Sequence, residues 1–292
     1  MCLSCRFAAT WEINMGIIKN LAVAAGIVLA VKGLDMRLEV VHYRLSSKKL
    51  PKEFDGLRIM QLSDYHSDTV PGILEAVRAE EPDLIFTTGD MADDEGSYLP
   101  AVRLFRQLSA IAPTFAISGN HEIWRTDYED FVDEVTAAGV TFLRDKTVTL
   151  SCDNAEITLS GIEDPFSREG SVMKRNVEKS LDSLSINRYM YNILLFHRAN
   201  MFDTIKNKGF DLVFAGHMHG GQFRLPTGQG LVSPKSSMGS NSPLLFPKYF
   251  GGQYEHNGTT MLVNRGLGNP MVIPRLFNRP EATLITLHTD TN

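Results

Sequence analysis

Short apolar-rich runs alternate with amphipathic stretches through most of this chain. Residues 57–63, 84–88, 114–118, 191–196 and 211–215 are runs of five to seven residues, each followed directly by Asp, Gly or His. Apolar runs of this length, bounded by turn residues, read as strands buried on both faces. Between and around them, 71–80, 97–110, 126–138 and 172–184 space their apolar residues at helical intervals and predict helices. Pro71 would open the first helix, where a missing N–H leaves nothing unpaired. Further strands are expected at 140–144, 146–151, 155–161, 259–264 and 282–288. The βα alternation predicts a layered α/β architecture, and the strand-rich second half predicts a second sheet packed on the first.

Three stretches fall outside this alternation. Residues 35–56 read as a lead-in strand and linker, and 57–292 as the catalytic-type domain. Ser233–Asn257 is rich in Gly, Ser and Pro and reads as a long surface loop. Leu244, Leu245, Phe246, Tyr249 and Phe250 cluster inside it, as pins for the loop or as an apolar flap beside a site. Residues 1–34 hold an apolar helix, uninterrupted by charge from Leu21 to Val31 and flanked by Lys19 and Lys32. It is about the length of a bilayer crossing and lacks a small-residue cleavage site, so an uncleaved membrane anchor is expected. Met15 is an alternative start that would remove Cys2 and Cys5.

The chemistry sits where the strand-like runs end. The first run leads to Asp64 and His66, the second to Asp90, the third to Asn120, His121 and Glu122, the fourth to His197, and the fifth to His217 and His219. In open α/β sheets the ligand crevice lies at these carboxyl ends. Each residue alone has an ordinary explanation: Asp64 or Asp90 as a helix N-cap, Asn120 as a turn residue, His197 as a core histidine. Together Asp64, His66, Asp90, Asn120, His197, His217 and His219 supply carboxylate, amide and imidazole donors with no thiolate. Seven donors exceed the four of a tetrahedral zinc. They suit two divalent ions sharing one bridging carboxylate, and Asp90, midway in order, is the natural bridge.

The blocks Asp64-Tyr65-His66, Gly89-Asp90, Gly119-Asn120-His121-Glu122, His197 and Gly216-His217-Met218-His219 together resemble the calcineurin-like metallophosphoesterase superfamily. Gly216–Gln222, Asn264–Gly268 and Asn278–Glu281 are similar to its exported or membrane-attached bacterial phosphodiesterases. The resemblance implies a four-layer α-β-β-α sandwich of two mixed sheets. It implies one ion on Asp64, His66, Asp90 and His219, and a second on Asp90, Asn120, His197 and His217. It also implies attack by metal-bridging hydroxide on a phosphate ester, most simply a phosphodiester, with His121 assisting the leaving group. Mn, Fe and Zn all suit such donors. Tyr65 departs from the commoner Leu at a position that is not a ligand.

Composition narrows the partners. With 292 residues, a net charge of −5 and no basic run interleaved with aromatics, nucleic acid is not expected as a partner. Cys152 is the single cysteine of the globular part, so no disulfide framework is expected. A membrane address implies a lipid-linked or envelope-derived phosphate ester. Charge around the apolar segment is nearly balanced and leans toward a cytoplasmic domain, whereas the family resemblance implies an extracytoplasmic one, which is the expectation taken here. The rival function is a non-catalytic metal-binding scaffold of the same fold; a di-metal C–N hydrolase is a more distant one.

Overall fold

The computed structural model of the protein describes residues 19–21, 23, 24, 26–165, 177–234, 243–269 and 274–290. Its strands are β1 (Glu39–Ser47), β2 (Arg58–Leu62), β3 (Leu84–Thr88), β4 (Thr114–Ile117), β5 (Thr141–Phe142), β6 (Lys146–Cys152), β7 (Ala155–Gly161), β8 (Asn192–Arg198), β9 (Leu212–Gly216), β10 (Gly252–His256), β11 (Thr259–Val263) and β12 (Glu281–Thr289). Its helices are α1 (Ile73–Ala79), α2 (Leu99–Ser109), α3 (Asn120–Trp124), α4 (Tyr128–Ala137), α5 (Val177–Ser183) and α6 (Phe202–Ile205).

The strands form two six-stranded mixed sheets, ordered β1-β12-β2-β3-β4-β5 and β10-β11-β9-β8-β7-β6. Parallel pairing of β2, β3 and β4, and of β7, β8 and β9, brings the carboxyl ends of these strands to one edge. Successive residues of a strand face opposite sides, and here both sides are apolar. Ile59, Phe86, Phe115 and Ile117 of the first sheet meet Leu159, Ile193, Leu195, Leu212 and Phe214 of the second in a central cluster. Met60, Leu62, Ile85 and Ala116 turn the other way, onto Ile73, Leu104, Phe105 and Phe131 of the helices. Leu194, Phe196, Val213 and Ala215 likewise meet Leu181, Phe202 and Ile205. The layers therefore run helices, sheet, sheet, helices. Phe86 joins the two sheets, its ring edge-on to Phe115 and Phe214 with centroids 6.0 and 5.2 Å away. Truncating it to Ala would cost about 3–5 kcal/mol.

Several expectations shift. The helix expected at 71–80 starts at Ile73, because Gly72 takes a left-handed φ of 84° that no helical residue adopts. The block from Asn120 to Trp124 forms a separate helix, where a turn was expected. Residues 35–56 do more than lead in: β1 pairs parallel with β12 along its whole length. The segment expected as loop to Asn257 contains β10, an edge strand whose Gln253 and Glu255 face solvent. The first part of the helix expected at 172–184 lies outside the described residues.

The apolar N-terminal membrane helix is not shown. Residues 26–33 are helical and expose Ile27, Val28, Leu29 and Val31. No helix among the described residues is long and apolar enough to cross a membrane. Residues 1–18, 22 and 25 of that segment, with Cys2, Cys5 and Met15, lie outside the described residues.

Candidate metal centre

The seven expected donors stand at or just beyond the carboxyl ends of β2, β3, β4, β8 and β9, with His197 still inside β8 and Asn120 opening α3, and the backbone weaves these strand ends together. Asp64 and His66 donate their N–H groups to Gly89 O and Asp90 O at 3.0 and 2.9 Å. Gly268 N–H closes on Asp64 O at 2.7 Å. Tight turns of this kind need unusual backbone: Asp64, His66, Asp90, His217 and His219 all adopt φ between 46° and 73°. Left-handed backbone is disfavoured for L-residues by roughly 1–2 kcal/mol each. Such strain persists where surrounding structure over-determines it, commonly at functional sites. Gly89 has φ 89°, and a Cβ there would lie 2.5 Å from Gly119 N, so only glycine lets β3 and β4 turn so close together.

Six of the seven expected donors gather in two groups, and the seventh, Asn120, opens α3 directly after Gly119. In the first, His219 Nε2 lies 3.4 Å from His66 Nε2 and 3.5 Å from Asp64 Oδ1. In the second, His197 Nε2 lies 3.1 Å from Asp90 Oδ2 and 3.2 Å from His217 Nδ1. Asp90 Oδ2 also lies 4.0 Å from His66 Nε2, so one oxygen stands between the groups. Donor atoms of Asp64, His66 and His219 lie within 4.8 Å of one another, as do those of Asp90, His197 and His217. Asn120 is fully buried, yet neither its amide oxygen nor its nitrogen has a hydrogen-bond partner. A buried polar group is costly when unpaired, and a bound cation would satisfy the oxygen. The donor set and this orphan fit divalent ions.

The electrostatics separate the donors. Burial disfavours the Asp90 anion, but the adjoining His197 and His121 outweigh it and hold the carboxyl well below the usual range. Burial pushes Asp64 up, and the Asp90 charge adds to the rise. His197 is opposed by burial, yet the Asp90 carboxylate raises it to about 10. Its Nδ1–H donates to Thr88 O at 2.7 Å, which leaves Nε2 as the atom that must lose a proton to bind an ion. His217 and His219 are held well below the ordinary value, by burial and then by Arg198 for the first and His66 for the second. Both are therefore neutral and ready to ligate.

His121 lies beside this set, its ring edge-on to His66 at 4.6 Å. Its Nδ1 lies 2.7 Å from Asp93 Oδ1 and 3.1 Å from Asp94 Oδ1. Burial would lower its pKa, but Asp90 and Asp93 outweigh that and raise it to about 9. At neutral pH it carries a proton.

Several residues of the centre escaped the sequence reading. Asp93 and Asp94 follow Asp90 closely, but acids in a loop look like ordinary solvated charge. Glu122 sits inside a recognised block and accepts the N–H groups of Asp90, Ala92 and Gly119 at 2.8–2.9 Å. Arg198 directly follows His197 at the end of a buried strand, a signal that was available. Its guanidinium is fully buried, pairs with Asp164 through two contacts of 2.5 and 3.1 Å, and lies 3.2 Å from His217 Nε2. Arg275, also fully buried, donates to Arg265 O at 2.7 Å and lies 3.4 Å from His219 Nδ1.

Comparison with known proteins shows what the chain is similar to. Residues 57–221 match the family model for calcineurin-like phosphoesterases. The uncharacterized metallophosphoesterase YkuE of Bacillus subtilis is 28% identical over 260 residues, 86% of this chain and 85% of its own. The phosphodiesterase YaeI of Escherichia coli is 27% identical over 259 residues, 85% of this chain and 88% of its own. Among solved structures, the phosphopantetheinyl hydrolase of Mycobacterium tuberculosis aligns with a TM-score of 0.46 and 12% identity, over 72% of this chain and 89% of that one.

Proposed function

We propose, from the premise that the chain belongs to the calcineurin-like phosphoesterase family and is a metal-dependent phosphoester hydrolase, that it cleaves phosphodiesters at a dinuclear centre. The ligands in this reading are Asp64, His66, Asp90, Asn120, His197, His217 and His219. The observation that carries it is the single Asp90 oxygen standing 3.1 Å from His197 Nε2 on one side and 4.0 Å from His66 Nε2 on the other. Two divalent ions, when bound, supply Lewis acidity that activates water and neutralises phosphoryl oxygens.

The chain's own residues do the rest. Asp90 offers one negative charge to both positions and fixes their spacing. Asn120 adds an oxygen without charge, leaving its position more electrophilic than a third carboxylate would. His121 holds a proton at neutral pH, and Asp93 and Asp94 fix its Nδ1 side. Nε2 is then the atom that hands a proton to the departing alkoxide. A scaffold would have no use for such a charged group beside the centre. The name of the relative YaeI supports the preference for diesters over monoesters.

Membrane attachment through residues 1–34 and an extracytoplasmic catalytic face belong to this reading. Exposed Ile27, Val28, Leu29 and Val31 support the attachment, and fractionation with protease protection tests both.

The central test is elemental analysis of protein loaded with Mn, Fe or Zn, alongside a panel of mono- and diesters. About two ions per chain are expected, with turnover of bis(p-nitrophenyl) phosphate that Asp90→Asn removes while the fold persists. Turnover by Asp90→Asn at the wild-type rate would sink the proposal.

A further inference from the structure

Outside residues 21–36, six large hydrophobic side chains are exposed among the described residues; three of them are consecutive on one small flap, and a fourth lies in the turn closed by the Leu225 N–H to Gln229 O bond, on the hairpin whose Leu231 bonds the flap. These four are Leu225, Leu244, Leu245 and Phe246, exposed by 42, 49, 57 and 60%. The flap is built directly on the chain that leaves the metal centre. Leu231 and Val232 both donate their N–H groups to Gly221 O, at 3.2 and 3.0 Å, two residues beyond His219. Phe246 N–H donates to Leu231 O, and Ser233 N–H to Leu244 O, each at 2.9 Å. Ser233 Oγ adds a bond to Pro243 O at 2.6 Å. The exposed tip is therefore held in register against the His219–Gly221 turn.

Its conformation is also strained. Phe246 adopts φ 57°, a left-handed backbone that is an outlier for a bulky side chain. It precedes Pro247, whose ring restricts the residue before it to extended backbone. A turn under no other demand would place Gly or Asn there. Here strain holds a large apolar ring out in solvent beside the site, a combination that marks function.

Resting on the phosphoesterase reading above, we propose that Leu225, Leu244, Leu245 and Phe246 form a subsite for the hydrocarbon chain of an amphiphilic phosphate ester. The phosphate of that ester lies at the Asp90 centre. Four side chains match one alkyl chain, whereas a stable protein interface takes roughly 20–30 residues a side. The hydrogen bonds to Gly221 O tie the patch to the metal-centre turn, a link that a general docking face does not need.

The test uses the metal-loaded full chain and two soluble esters, p-nitrophenyl butyl phosphate and p-nitrophenyl dodecyl phosphate, below micelle-forming concentration. Each buried methylene adds up to a factor of about 4 in affinity. The dodecyl ester is therefore expected to have at least a tenfold higher kcat/KM. In Leu245→Ser and Phe246→Gly the preference should fall toward unity with butyl-ester turnover unchanged. Glycine suits φ 57°, so Phe246→Gly should melt no lower than the wild type. Calorimetric binding of dodecyl against butyl phosphate gives the same comparison without catalysis. If neither ester turns over, the hydrolase reading fails while tighter dodecyl binding still upholds the subsite. Equal binding and equal kcat/KM in the wild type overturn it. So does a preference retained in both variants when only vesicle adsorption or self-association is lost.

Discussion

Glu122 is bonded to the backbone of Asp90: its Oε2 accepts the Asp90 N–H at 2.9 Å. The same oxygen accepts Gly119 N–H at 2.8 Å, and Oε1 accepts Ala92 N–H at 2.8 Å. One buried carboxylate thus clamps the loop after β3 to the loop after β4. These loops lead to Asp90 and Asn120, the bridging and amide donors of the proposed centre. Burial raises the Glu122 carboxyl pKa, and the Asp90 charge adds to the rise, so the clamp depends on the three donors.

Replacing Glu122 by Gln keeps the shape but turns one acceptor into a donor facing an N–H. At least one backbone donor is then left unpaired in the interior, a cost of about 1–3 kcal/mol. Loosened supports of ligating groups typically lower metal affinity about 10- to 100-fold. Chemical denaturation and metal titration of Glu122→Gln measure the two effects. Wild-type affinity in a destabilised variant would show that Glu122 supports the fold but not the ion positions.

His121→Ala is expected to retain its metal content and lose activity. General acid catalysis contributes about 10² to 10⁴ in rate, mostly with poor leaving groups. The deficit should therefore be large for an alkyl leaving group and small for p-nitrophenolate. Asp93→Asn should resemble it, since burial disfavours the Asp93 anion but His121 holds its carboxyl well below the usual range. As pH rises through about 9, His121 loses its proton. Nearby cations would pull that value down, so alkyl-ester turnover should fall at or below about pH 9. A pH-independent alkyl rate across that range would exclude His121 as the donor.

Loading the centre should release protons. His197 holds a proton up to about pH 10 in the metal-free chain, and Nε2 must give it up to bind an ion. Its folded pKa is raised above the ordinary 6.5, so between those values the ion competes with a proton. Affinity should then strengthen by up to tenfold per pH unit for one proton released. Calorimetry in two buffers of different ionisation enthalpy counts the protons; a count of zero at pH 7.5 would contradict the placement of His197.

The seven donors were legible because each follows a strand-like apolar run, and the parallel order of those strands sends every run to the same edge. Less could be read where residues act through others. Asp93 and Glu122 are acids whose partners lie 28 and 32 positions away, as His121 and Asp90; no local pattern separates Asp93 from solvated charge, and the block that holds Glu122 does not show which groups it bonds. Strand β10 hid in a Gly- and Ser-rich stretch because one of its faces is exposed and the other only half-buried. The short helix α3 was masked by its own ligands, since Gly119 and Asn120 look like a turn. For the apolar leader, composition suggests a membrane crossing, and no helix among the described residues is long and apolar enough to make one.

Arg198 and Asp164 form a fully buried pair beneath His217. Burying two charges is expensive, and their attraction offsets that only while both remain. Removing one takes the main ion-pair partner from the buried charge that remains, at about 3–5 kcal/mol. Asp164→Asn and Arg198→Met should each destabilise the fold by roughly that amount. An apolar double replacement, Arg198→Met with Asp164→Leu, should recover much of the loss, because neither charge is then stranded. Stability alone does not exhaust the pair's role, since Arg198 also reaches the far side of the His217 ring, 3.2 Å from Nε2. The stable double variant should therefore still bind the second ion more weakly, by about 10- to 100-fold as for other supports of ligating imidazoles. A double-mutant cycle read by both denaturation and metal titration separates the two effects. Recovery of metal affinity along with stability would reduce the pair to a packing element.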